Sequence, residues 1–173
     1  YICPLHGPIL SENLDYYINL YDIWSSYGVE SEGVFIAYTS VYGNTKKAVE
    51  KFAEILKAKG SPKVAVADLA REDMAECVED AFKYGKIVLA TTTYTNDIFP
   101  FMKDFIHHLT GRNYQNRTIG LIENGTWNPL AAKVMTKMFE NSKNITFCPT
   151  VVTIKTAMND ETVNGLEKLA EED

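Results

Sequence analysis

The residues best placed to do chemistry are Thr39-Ser40-Val41-Tyr42-Gly43-Asn44-Thr45. They follow an apolar run, residues 34–38, and lead into a segment from Asn44 to about residue 59 whose apolar positions Ala48, Val49, Phe52, Ile55 and Leu56 recur at helical spacing. A strand, a hydroxyl-rich turn with one Gly, and a helix start together form an anion pocket. The first amides of a helix have no carbonyl partner, and the helix dipole places partial positive charge there. The hydroxyls of Thr39, Ser40 and Thr45 add further donors. A phosphate monoester suits such a pocket, and with no Lys or Arg between Thr39 and Thr45 it would be held by dipoles.

The glycines exclude the common nucleotide loops. A Walker loop closes on Gly-Lys-Ser/Thr, whereas Gly43 is followed by Asn44-Thr45. A dinucleotide fingerprint needs three spaced glycines, and this turn has one. The hydroxyl-rich form resembles the FMN-phosphate loop of flavodoxin-like proteins. Taken alone, the same residues also describe an ordinary strand-to-helix turn capped by Asn or Thr.

Two later loops carry polar and aromatic groups. Thr91-Thr92-Thr93-Tyr94-Thr95-Asn96-Asp97 offers hydroxyls and an amide to a polar ring edge, with Tyr94 able to stack on an aromatic ligand or to stand in solvent. In Glu123-Asn124-Gly125-Thr126-Trp127-Asn128-Pro129, Gly125 permits close backbone approach, and Pro129 suits the first turn of a helix. Trp127 at a loop tip calls for a partner, either a flat heteroaromatic ring or a neighbouring subunit, and the ring is the favoured reading.

The elements that must position these loops alternate. Strands are expected at 34–38, 63–68, 86–92, 118–123 and 145–154, and helices at 44–59, 71–84, 99–109, 128–141 and 160–171. This pattern specifies a doubly wound α/β fold with a five-stranded parallel sheet. In the flavodoxin-like order 2-1-3-4-5, ligands bind where strands one and three diverge, at their carboxyl ends. A helix over residues 11–27 precedes this unit, with Leu14, Tyr17, Ile18, Tyr21 and Trp24 on one face, Ser11 as its cap and Gly28 as its end. The polar stretch to Gly33 reads as a linker. The expected division is a tail and linker helix at 1–32 and a flavodoxin-like domain at 33–173.

Composition narrows the function. The chain has 173 residues, enough for one domain with a short appendage, and 46% apolar content, enough for one good core. A formal net charge of −6 argues against nucleic acid and anionic membranes as partners. It suits solubility, docking to a cationic face, and a low-potential redox carrier. Cys3, Cys77 and Cys148 are odd in number and form no CxxC pair, so neither a disulfide framework nor a zinc site is indicated. No apolar run approaches the ~20 residues of a membrane span, no secretion signal is visible, and a cytoplasmic location is expected. The chain opens at Tyr1, without Met and inside what reads as a turn, as expected of a piece of a longer protein.

Three segments together carry a more specific resemblance. Thr39–Thr45, Thr92-Thr93-Tyr94-Thr95-Asn96 with Phe99-Pro100-Phe101-Met102, and Ile122-Glu123-Asn124-Gly125-Thr126-Trp127 resemble the flavodoxin-like domain of flavodiiron proteins. The resemblance spans about residues 1–154, although the second loop lacks the Pro common in relatives. Cys3-Pro4-Leu5-His6-Gly7-Pro8 looks like the tail of the family's metallo-β-lactamase-like domain, with His6 matching its last diiron histidine. The other iron ligands do not appear in this sequence, so no metal centre and no catalytic residue is expected here. His107-His108 makes a poor chelate, since neighbours on a helix point about 100° apart.

The resemblance implies noncovalent FMN. Thr39, Ser40, Val41, Tyr42, Gly43, Asn44 and Thr45 would hold its phosphate. Thr92, Thr93, Tyr94, Thr95 and Asn96 would line one side of the isoalloxazine, and Asn124, Gly125, Thr126 and Trp127 the other. It also implies electron transfer from rubredoxin or a flavin reductase to a diiron centre that reduces O2 or NO, and a possible homodimer. This chain would keep the electron transfer without the gas reduction. Two alternatives stand beside it: a free-standing flavodoxin or FMN quinone reductase, and a phosphate-binding interaction module with no redox ligand.

Overall fold

The computed structural model describes residues 1–172. Its elements are α1 (Leu14–Ser25), β1 (Ser31–Tyr38), α2 (Asn44–Ala58), β2 (Val64–Asp68), α3 (Met74–Lys83), β3 (Tyr84–Tyr94), β4 (Asp97–Ile98), α4 (Pro100–Thr110), β5 (Arg117–Asn124), α5 (Ala131–Met138), β6 (Ile145–Ile154) and α6 (Asp160–Glu172). Five long strands pair in parallel in the order β2-β1-β3-β5-β6, which is the expected 2-1-3-4-5 once the two-residue β4 is set aside.

Residue alternation along the strands builds two cores. Val34, Ile36 and Tyr38 of β1 face α2 and α6, with Val88, Ala90, Ile122, Val152 and Ile154 beside them. Phe35 and Ala37 face the other way, with Ile87, Leu89, Ile119 and Leu121, against α3, α4 and α5. This explains the near-continuous apolar runs, because a strand covered on both faces has no polar side to show. Helix α2 buries Thr45, Ala48, Val49, Phe52, Ala53, Ile55 and Leu56. Each large apolar side chain among them stabilises the fold by about 1.5–3 kcal/mol.

Several boundaries depart from expectation for tertiary reasons. The linker ends early, because β1 starts at Ser31 and accommodates Gly33 as a bulge, with a register shift between Ser31 and Val34. Gly33 has φ +137°, and a Cβ there would sit 2.4 Å from the Lys63 carbonyl oxygen. Helix α1 starts after Asn13, itself left-handed at φ 52°, and not at Ser11. Its end is a Schellman turn whose left-handed residue is Tyr27 (φ 55°), with Gly28 N–H donating to the Ile23 carbonyl at 2.7 Å. None of α1 is buried, and Ile18, Tyr21 and Trp24 stand exposed. Helix α5 begins at Ala131, so Pro129 lies before the helix and not in its first turn. The starting amides are satisfied from afar: Leu130 N–H donates to Thr93 Oγ1 at 3.0 Å and Ala132 N–H to Glu123 Oε2 at 2.9 Å.

The amino end of the sheet is tied together by Arg117, which is almost fully buried. Its Nη1 donates to the carbonyls of Tyr27, Gln115 and Asn116, and its Nη2 to those of Gly28 and Phe82, at 2.6–3.2 Å. Carbonyls just beyond α1 and at the end of α3 carry the negative ends of those helix dipoles, which favours a cation between them. Burial pulls the Arg117 pKa down. Its Nε is buried without a partner among the described residues. No helix among the described residues is long and apolar enough to cross a membrane.

Candidate functional site

The strand order reverses direction between β1 and β3, so the loops leaving their carboxyl ends diverge and open a crevice. A cleft of about 240 Å3 lies there, lined by Ser40, Val41, Tyr42, Asn44, Thr45, Thr92, Asn124, Gly125, Thr126 and Thr156. Nine of these ten belong to the set expected from the sequence, drawn from three loops far apart in the chain.

The first loop delivers a helix start. Gly43 is the N-cap of α2 at φ 85°, a left-handed conformation that Gly adopts without cost, and a Cβ there would meet nothing within 4 Å. Its backbone angle, and not crowding, therefore calls for Gly. The first intrahelical bond is Lys47 N–H to the Gly43 carbonyl, so the amides of Asn44 and Thr45 precede the ladder. Lys46 N–H donates to Ser40 Oγ at 3.2 Å, which folds the loop over the helix end.

The opposite wall is held by Asn124, buried at the end of β5. Its Nδ2 donates to Thr45 Oγ1 at 3.4 Å and to the Thr156 carbonyl at 3.3 Å, bridging two walls. Thr92 Oγ1 donates to the Asn124 carbonyl at 3.1 Å, which ties in the third loop. Thr126 and Thr156 hydroxyls lie 2.6 Å apart. The lining offers hydroxyls, two carboxamides and helix amides, and no carboxylate. A neutral donor set of this kind fits a phosphate ester with a polyol chain.

Other expected residues lie elsewhere. Thr39 is fully buried, and its hydroxyl is paired with Thr91 Oγ1 at 2.6 Å between β1 and β3. The expected loop after residue 92 is instead strand: β3 continues to Tyr94, turns through Thr95 and Asn96 (φ 51° and 58°), and returns as β4, pairing Tyr94 with Asp97 and Thr93 with Ile98. Two successive left-handed residues make the turn that matches strand twist. This hairpin removes Thr93, Tyr94, Thr95 and Asn96 from the lining. Tyr94 packs edge-on against Phe99 (5.3 Å, 78°). Trp127 is 97% exposed and does not reach the cleft. Gly125 is crowded by the chain itself: a Cβ would meet Pro129 Cα at 3.0 Å and Thr93 Oγ1 at 3.2 Å.

Thr156, on the loop after β6, is the lining residue that the sequence pattern did not reveal. The available signal was topological, since β6 runs parallel to β5 and must release its loop at the same edge. At that edge burial and the neighbouring Asp68 carboxylate push the Tyr38 phenol up to about 12. On the other face, burial raises the Cys77 thiol to about 11. His6 is exposed on the turn closed by the Ile2–Leu10 bridge.

Comparison with known proteins agrees with this geometry. The family model described as "Flavodoxin domain" matches residues 35–155. The coenzyme F420H2 oxidase of Methanothermobacter marburgensis is 30% identical over 118 residues, covering 68% of this chain and 28% of that protein. The chain thus spans little more than a quarter of the length of that relative. Among solved structures, rubredoxin oxygen:oxidoreductase from Desulfovibrio gigas superposes with a TM-score of 0.83 at 18% identity, covering 91% of this chain and 39% of that one. The flavodoxin of Streptococcus pneumoniae TIGR4 superposes at 0.67 with 23% identity, covering 80% and 95%. At these identities the superpositions speak for the fold.

Proposed function

The chain belongs to the flavodoxin-domain family, as an FMN domain homologous to those of flavodiiron proteins, and from that premise we propose that it relays electrons to a diiron centre on a separate domain. The cofactor supplies one-electron and two-electron chemistry, and the protein supplies grip, orientation and electrostatics. In this reading the amides of Asn44 and Thr45 and the Ser40 hydroxyl hold the phosphate, while Asn124, Thr92 and Thr126 orient the rest of the ligand. Trp127, two residues beyond the lining residue Gly125 on the same loop, is the proposed partner of the ring. Thr93, Tyr94, Thr95 and Asn96 remain proposed contacts only by way of the hairpin edge, and Thr39 supports the phosphate loop from beneath through Thr91.

The observation that carries the reading is the convergence of three sequence-distant loops on one neutral, donor-rich cleft at the strand reversal. The finer proposal is that rubredoxin or a flavin reductase reduces the domain, which then passes electrons to a metallo-β-lactamase-like domain that reduces O2 or NO. The homology to a coenzyme F420H2 oxidase supports the electron-transfer part of this. We also propose that residues 1–32 are the tail and linker helix of a preceding domain and 33–173 the FMN unit, in a homodimer in the cytoplasm. The absence of any buried residue in α1 supports that division.

An optical spectrum of the protein reconstituted with FMN tests the core of the proposal. A yellow complex with quenched flavin fluorescence is expected, and protein that is colourless once excess FMN has been removed by gel filtration would make it a phosphate-binding module. Adding separately expressed diiron domain and reduced rubredoxin tests the finer part. O2 or NO consumption that requires both proteins is expected, and consumption indifferent to this chain would leave a free-standing flavodoxin.

A further inference from the structure

One wall of the cleft carries a strained residue with no role so far. Thr156 has φ +74° at the centre of a γ-turn, closed by Ala157 N–H donating to the Lys155 carbonyl at 3.0 Å, a rare and strained conformation for a β-branched side chain. It sits on the loop between β6 and α6, and its hydroxyl and carbonyl both reach the end of β5 and the loop after it. Its hydroxyl meets Thr126 Oγ1 at 2.6 Å, and its carbonyl accepts from Asn124 Nδ2 at 3.3 Å. Between these, Gly125 N–H donates to the Ile154 carbonyl at 3.0 Å. Three successive residues of one wall are thus pinned to β6 and the loop it releases.

The hydroxyl pair contributes little to the fold. Thr126 and Thr156 are both exposed, so water competes for their hydroxyls. A strained backbone that persists without a stability gain points to the site it borders. Resting on the FMN reading above, we propose that Thr156 is a positioning residue. It latches the Asn124-Gly125-Thr126 wall through its hydroxyl and carbonyl, so that the donors of that wall are already oriented when a phosphorylated flavin enters. Preorganised donors bind more tightly because no ordering cost falls on the binding step.

The test is a double-mutant cycle on FMN affinity, read by flavin fluorescence quenching, beside the melting temperature of the apoprotein. Thr156→Val keeps the branched shape and removes the hydroxyl, and Thr126→Val removes its partner. Each single change should weaken FMN about fivefold, the net value of one hydrogen bond, with the apoprotein melting temperature unchanged. The double variant should be no weaker than either single one, and Thr156→Ser should retain wild-type affinity. Wild-type affinity in Thr156→Val, or losses that simply multiply in the double variant, would overturn the latch while leaving the FMN site intact. Wild-type protein that takes no FMN would remove both readings together.

Discussion

The two ends of the sheet solve opposite problems. At the amino end, Arg117 gathers five backbone carbonyls from the turn after α1, the end of α3 and the start of β5, and leaves little polar group capacity free. At the carboxyl end, Thr92, Asn124, Thr126 and Thr156 bond to one another around open space. One end uses its hydrogen bonds to hold the chain, and the other keeps donors available. Parallel strands bring this about, because every crossover places one loop at each end, and only the carboxyl-end loops lead into helix amino termini.

The comparison predicts that the ends can be damaged separately. Arg117→Leu should cost the fold about 3 kcal/mol, since the carbonyls of half-buried Tyr27, Gly28 and Phe82 lose a charged donor. Denaturant titration measures this loss, while FMN affinity of the folded fraction should stay at the wild-type value. A parallel drop in affinity would mean that the amino end shapes the cleft.

Gly43→Val strains the carboxyl end alone. A β-branched residue at φ 85° should weaken FMN by about 2 kcal/mol and riboflavin far less, because the phosphate loop is what moves. Equal losses for both ligands, in paired calorimetric titrations, would put the phosphate elsewhere. Trp127→Ala should weaken FMN by about 1 kcal/mol, the scale of one aromatic contact, without changing apoprotein stability, since the indole touches so little now. An unchanged dissociation constant would assign Trp127 to an interface between subunits.

At neutral pH the smallest effect is that of Tyr38, which shows only in alkali. The Tyr38 phenol titrates near 12 in the folded protein against 10.0 when unperturbed. The unfolded chain therefore loses this proton first, so stability is full below pH 10 and falls as pH rises towards 12. Tyr38→Phe should flatten that alkaline slope in denaturation curves taken from about pH 9 to 12. A slope unchanged by the substitution would assign it to other groups.

Much of this was legible in the residues. The alternation of strands and helices followed from apolar periodicity, and the helix start after Gly43 from one Gly in a polar turn, both of which are local signals, whereas the strand order came from the likeness to flavodoxins. The hairpin after β3 was not, because Thr95-Asn96 lacks the Gly that usually marks such a turn. The start of α5 lies beyond Asn128 and Pro129 because the acceptors of its first amides, Thr93 and Glu123, come from other elements. The residue type of Trp127 calls for a partner, and the fold by itself leaves its side chain in solvent.

By itself the chain determined which segments are buried on two faces and hence which ends of them must release polar loops. These properties depend on side-chain pattern within a few residues. Only the folded molecule decided which hydroxyls remain free, because Thr39 is consumed by Thr91 and Thr156 is recruited from the last loop. Hydrogen bonds between residues 30 to 52 positions apart have no signature in local sequence, since their geometry exists only after the strands have paired.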